Sequence, residues 1–117
     1  MLEPGSVTNY TSELNLKTIV SKNRDKTLLI SFYAPWCPPC NKLEPNITKF
    51  CKDNKFCGIL INVEENEEIA EIFDVEDIPH VFVFHLGHKI YDFIGADDNN
   101  LKQCLKQIKE ASKNGAK

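Results

Sequence analysis

Two apolar runs constrain the fold more than any other feature of the chain. Leu28-Leu29-Ile30-Ser31-Phe32-Tyr33 and Phe56-Cys57-Gly58-Ile59-Leu60-Ile61-Asn62-Val63 carry hydrophobic side chains on consecutive rather than alternate positions, apart from Ser31, Gly58 and Asn62. A strand with one wet face alternates, so near-continuous runs of this length predict strands covered on both faces. Between them Leu43, Ile47, Phe50 and Cys51 recur at i, i+4, i+7 and i+8, the buried stripe of an amphipathic helix. Strand, helix and strand in that order predict a βαβ unit.

The flanking segments extend the pattern. A short strand is expected near Val7. Thr11 to Val20 carries Leu14, Leu16, Ile19 and Val20 behind Ser/Thr cap candidates and predicts a helix, followed by a polar turn over Ser21 to Lys26. Asn66-Glu67-Glu68 offers a cap and an acidic first turn for a short helix burying Ile69, Ile72 and Phe73. Val81 to Phe84 and Lys89 to Ile94 flank His85-Leu86-Gly87-His88 closely enough to pair as an antiparallel hairpin. Asp97-Asp98 then opens a last helix with Leu101, Cys104, Leu105 and Ile108 on one face. From about Ser112 the chain reads as a frayed tail. Pro45, inside the long helix, is expected to kink it.

Composition narrows the function classes. The chain has 117 residues, 42% of them hydrophobic, which suits one domain over 1–117 with a core from about 7 to 110. Its 14 basic and 17 acidic residues are interspersed and sum to −3, so nothing calls for a nucleic acid as partner. No window approaches a membrane span, and the first residues show no basic region followed by an apolar one, so a cytosolic protein without membrane contact is expected. The five cysteines are odd in number and unevenly spaced, which argues for reduced thiols plus one special pair rather than a secreted disulfide scaffold.

That pair is Trp36-Cys37-Pro38-Pro39-Cys40, set where the first buried strand hands over to the long helix. Orphan N–H groups and the positive end of the helix dipole favour an anion there, so Cys37 is the candidate nucleophile. Cys40 lies at i+3 on the same helix face and is the candidate resolving thiol. Proline suits a first helical turn, whose N–H groups have no intrahelical partner, so two prolines stiffen the loop without breaking the helix.

WCPPC after an apolar strand, Pro45 five residues beyond Cys40, Ile78-Pro79 entering a strand and Gly95 after the last strand together resemble the thioredoxin family, whose motif is usually WCGPC. The likeness runs from about Val7 to Glu110. It implies an α/β thioredoxin fold, a central mixed sheet of four to five strands flanked by helices. It also implies a protein-disulfide reductase that works by dithiol–disulfide exchange at Cys37 and Cys40 and contributes to cell redox homeostasis and electron transport. Trp36, Ile78, Pro79, Gly95 and Ala96 match the family's docking surface, with Pro79 cis. No bound cofactor is expected beyond the redox-active Cys37–Cys40 disulfide. The implied partners are disulfide-containing proteins and a thioredoxin reductase or other dithiol donor, with the chain itself a monomer.

The chain departs from the family at Ser31, where an aspartate is usual, and at Leu60, where a lysine is common. General-base help for Cys40 is what these changes put in question. His80 stands where the family has threonine and could carry a proton near the thiols; a hydrogen-bonded histidine at a strand start is the blander alternative. Asp77, beside the docking groove, could disfavour acidic partner segments. Two rivals to the reductase follow: a thioredoxin-fold binding or chaperone-like module with weak turnover, and a tryparedoxin-like redox protein, which shares WCPPC. A zinc site built from Cys37, Cys40, Cys51 and Cys57 lacks a second short spacing, so no metal is expected. Cys51, Cys57 and Cys104 lie in apolar patterns and are read as core thiols; His85 and His88 are read as solvated turn residues.

Overall fold

The computed structural model describes residues 2–11 and 15–115. Nine elements alternate along it: β1 (Val7–Asn9), α1 (Leu16–Lys22), β2 (Thr27–Tyr33), α2 (Pro38–Asn54), β3 (Cys57–Asn62), α3 (Glu67–Ile72), β4 (His80–His85), β5 (His88–Ile94) and α4 (Asp98–Gly115). The strands form one sheet in the order β1-β3-β2-β4-β5. β1, β3 and β2 run parallel, while β4 and β5 are antiparallel to their neighbours.

The central place of β2 explains its near-continuous apolar run. Leu29 faces one side, where Val81, Val83 and Phe93 meet Leu43, Ile47 and Cys51 of α2 and Leu101, Cys104 and Ile108 of α4. Ile30 and Phe32 face the other, packing with Ile59, Ile61 and Phe82 beneath Leu16 of α1 and Ala70 of α3. Both faces are therefore dry, and alternation disappears from the sequence. Gly58 of β3 is required by close approach: a Cβ there would lie 2.9 Å from Val7 Cγ2 and 3.2 Å from Cys51 Sγ. The hairpin turns on Leu86 and Gly87, both at positive φ, 53° and 88°, the backbone hand that matches strand twist in a two-residue loop.

Four expectations need correction. The first helix starts at Leu16 rather than Thr11, because Asn15 is the cap, its side chain accepting from Thr18 N at 3.1 Å; Leu14 lies outside the described residues. Ile72 is not buried but 78% exposed, and Ala70 takes its place. At about 100° per residue, Ile69, Ala70 and Phe73 share a face that Ile72 misses by roughly that angle. The reading of a frayed tail from Ser112 gives way to a helix continuing to Gly115. His85 is half-buried rather than a solvated turn residue, its Nδ1 2.7 Å from Thr27 Oγ1 and its Nε2 3.2 Å from Ser112 Oγ. Among the described residues no helix is long and apolar enough to cross a membrane.

Candidate active site

β2 ends at Tyr33, and Ala34-Pro35-Trp36 turns the chain into α2, whose N-cap is Cys37. A helix begins with N–H groups that have no helical partner. Here the first two positions are Pro38 and Pro39, which have no N–H to offer. The first free donor is therefore Cys40 N–H, which points at Cys37 Sγ from 3.3 Å. Asn41 N–H then closes the first helical turn on Cys37 O at 3.1 Å. The two prolines remove competing donors and leave one, aimed at the sulfur. A thiolate at Cys37 would receive that hydrogen bond together with the positive end of a 17-residue helix.

The two cysteines form a disulfide, their Cα atoms 5.2 Å apart. Both are buried, against Ala34, Tyr33, Val63 and Ile78. The segment entering β4 closes the site from the other side: the Ile78–Pro79 peptide bond is cis, and Ile78 O lies 3.9 Å from Cys37 Sγ. Gly95 N–H donates to Pro79 O at 2.9 Å, at a φ of 99° that suits glycine, so β5's exit is tied to the same loop. Ala96 lines a shallow groove with Pro38, Pro39, Lys42, Asp97 and Asp98. Trp36 is 66% exposed and its Nε1–H donates to Glu64 Oε2 at 2.7 Å. Cys37, Cys40, Trp36, Ile78, Pro79, Gly95 and Ala96, scattered over sixty residues, thus converge at one end of the sheet.

Ser31 and Leu60 are register partners on the adjacent parallel strands β2 and β3, and both are buried. A hydroxyl and an isobutyl group thus lie side by side where the sequence resemblance implies an acid and a base, and neither place buries a charge.

His80 follows the blander reading. Its Nε2 is 2.7 Å from Asp92 Oδ2, and since a carboxylate only accepts, Nε2 carries the proton. The ring stacks on Phe82 at 4.2 Å, while Nδ1 is buried without a hydrogen-bond partner among the described residues. Asp92 also meets Lys89 Nζ at 3.3 Å. The hydrogen bond from His80, then the Lys89 contact, hold the Asp92 carboxyl below its usual range. A carboxyl with a depressed folded pKa contributes stability that is present above the unfolded value near 3.9 and lost as pH falls through the folded one. Acid unfolding of Asp92→Asn is accordingly expected to lose part of its slope below about pH 4; wild type and variant with identical acid limbs would contradict the pairing. In the sequence Glu64 reads as part of a solvated acidic face and Asp92 as one charge among many, and only the folded sheet brings them to Trp36 and His80.

The remaining thiols are inert by burial. Desolvation pushes Cys51 and Cys104 up to about 12 and raises Cys57 as well. At pH 7 Cys51 and Cys104 are therefore held as thiols rather than thiolates. Reduced protein treated briefly with iodoacetamide at pH 7 is expected to take one label, at Cys37, by peptide mass mapping; rapid labelling of Cys51 or Cys104 would refute this. Among the described residues no group of three or more His, Cys, Asp or Glu side chains is placed to hold a metal ion.

Comparison with known proteins places this arrangement. The thioredoxin family profile matches residues 7–107. A thioredoxin of Echinococcus granulosus is 32% identical over 82 residues, covering 69% of this chain and 77% of that protein. Thioredoxin 1 of Plasmodium falciparum is 29% identical over 98 residues, 83% of this chain and 92% of that protein. The crystal structure of the thioredoxin NaTrxh from Nicotiana alata superposes with a TM-score of 0.77 at 25% identity, covering 92% of this chain and 96% of that one.

Proposed function

The chain belongs to the thioredoxin family of thiol–disulfide oxidoreductases, and we propose that it reduces protein disulfides with Cys37 as nucleophile and Cys40 as resolving thiol. Cys37 thiolate attacks one sulfur of a substrate disulfide; a mixed disulfide forms, and the other substrate sulfur leaves as a thiolate that takes up a proton. Cys40 thiolate then attacks Cys37 Sγ, breaking the mixed disulfide and releasing the second substrate thiol. Two electrons have passed to the substrate, and the Cys37–Cys40 disulfide remains. A dithiol donor, in this family commonly a thioredoxin reductase, returns it to the dithiol.

The observation that carries this reading is the dual position of Cys37. It caps α2, with Cys40 N–H aimed at its sulfur, and it lies 3.9 Å from the Ile78 carbonyl. A substrate segment laid along Trp36, Ile78-Pro79 and Gly95-Ala96 would therefore pass over the attacking atom. We read residues 1–117 as one such domain acting as a monomer. Three buried free thiols, Cys51, Cys57 and Cys104, favour a reducing compartment such as the cytoplasm, with a role in redox homeostasis and electron transport.

The test is reduction of insulin disulfides with dithiothreitol as donor, followed by turbidity. Catalytic amounts of the protein are expected to advance precipitation well ahead of dithiothreitol alone. A rate equal to the uncatalysed one would overturn the reductase reading and favour a binding module on the same fold.

A further inference from the structure

The exposed face of α4 carries a line of charge that the chain as a whole does not suggest. Lys102, Lys106, Lys109 and Lys113 are all exposed and line one groove along the helix with Leu105 and Glu110. Steps of four, three and four residues at about 100° each keep all four within a strip roughly 60° wide and ~16 Å long. None of them makes an ion pair among the described residues. Between Leu101 and Lys113 four lysines stand against one acid, Glu110, in a chain whose net charge is −3. Four unneutralised cations in a row repel one another, so a partner that brings negative charge gains what the fold itself leaves unused.

The stripe begins one helical turn beyond the groove at the site. Asn46 Nδ2 of α2 donates to Asp98 Oδ1 at the start of α4, at 3.3 Å. Asp98 shares the groove of Pro38, Pro39, Lys42 and Ala96 beside the cysteines. Lys102 lies one helical turn further on.

We propose that this lysine stripe is a second contact for substrates, fitting proteins whose acidic segment lies a few residues after the disulfide to be reduced, beyond Asp97 and Asp98 of the groove at the cysteines. The proposal rests on the assignment of Cys37 and its surroundings as the reducing site. A substrate chain leaving the Pro38–Asp98 groove reaches Lys113 in about seven extended residues at ~3.3 Å each. A protein segment fits better than nucleic acid, since no aromatic side chain lies on α4 for bases to stack on and the chain is acidic overall. It also fits better than a membrane, since Leu105 is the one apolar side chain in the groove and is half-buried.

The experiment compares two peptides, each bearing one cysteine in mixed disulfide with 2-mercaptoethanol and a tail of eight residues, alternating Glu and Gly in one and Gln and Gly in the other. Rates of reduction are measured for the wild type and for the Lys102→Gln, Lys106→Gln, Lys109→Gln, Lys113→Gln combination, with neutral hydroxyethyl disulfide as the common control. For the wild type at low salt kcat/KM is expected to be about tenfold higher for the Glu tail, the scale of electrostatic steering. The gap is expected to close at 0.5 M salt and in the fourfold variant, with the control substrate unchanged. Equal wild-type rates on both tails, with the control turned over normally, would overturn the proposal while leaving the reductase intact. Failure on the control substrate would instead indict the reductase reading. Lysine-dependent binding of a single-stranded oligonucleotide or of phosphatidylserine vesicles without any tail preference would overturn it in favour of another polyanion.

Discussion

Cys37→Ser is expected to reduce insulin no faster than dithiothreitol alone, whereas Cys40→Ser is expected to stall one step later with substrate attached. The asymmetry follows from where each sulfur sits. Cys37 receives the one N–H that the two prolines leave free at the start of α2. A serine hydroxyl in its place keeps the geometry but is not ionised near neutral pH, so the attacking species disappears. Cys40 is in the following turn, as buried as Cys37, and its sulfur is bonded to Cys37 Sγ. Its replacement leaves the first attack untouched and removes the second, so mixed disulfides accumulate and multiple turnover falls to the rate at which external thiol resolves them. Non-reducing electrophoresis and intact mass distinguish the two variants: an adduct in Cys40→Ser and none in Cys37→Ser. An adduct of the opposite pattern would reverse the assigned roles.

The largest effect on stability is expected at Phe32→Ala, a loss of about 3–5 kcal/mol in urea unfolding. Phe32 is fully buried and its ring meets Phe73 at 5.2 Å and Phe82 at 5.6 Å. It holds α3 to the sheet, since Phe73 at the end of that helix also packs on Phe82 and Phe84. Truncation leaves a cavity bounded by strands that cannot close on it without losing their ladder bonds, so little of the cost is recovered by relaxation. Native domains hold only about 5–15 kcal/mol in all, so the variant would spend a measurable fraction of its time unfolded. Phe32 is also the register partner of His80, next to Pro79, so some loss of activity is expected at temperatures where the fold persists. A loss of less than about 1 kcal/mol would mean that the three-ring cluster does not carry this face of the core.

The elements most legible in the sequence were those whose constraint is local. β2 and β3 announce themselves by near-continuous apolar runs, α2 and α4 by their stripes, and the start of α2 by two prolines between two cysteines. Less legible were elements set by a partner. α1 is shorter than its apolar pattern because Asn15, not an earlier hydroxyl, caps it. α3 spans six residues, too few for periodicity to say which side faces the sheet, so the sequence does not distinguish exposed Ile72 from buried Ala70. His85 reads locally as a turn residue, but Thr27 of β2 and Ser112 of α4, both distant in sequence, lie within hydrogen-bond distance of its two ring nitrogens.

By itself the sequence determined the cysteine pair and the strand-to-helix turn that holds it. Both depend on neighbours in the chain: prolines that cannot donate, an N–H three residues from the cap, and a thiol one helical turn away. The tertiary structure alone decided what surrounds those atoms. Ile78 O reaches Cys37 from the segment entering β4, and Gly95 is tied to Pro79 next to it, as Glu64 reaches Trp36. Ser31 and Leu60 become neighbours only through the parallel register of β2 and β3. The lysines of α4 become a line only once helical pitch turns a spacing of four, three and four into one face. Contacts made by long-range pairing leave no local signal, because any single residue that makes them reads as ordinary polar or apolar surface until the sheet is assembled.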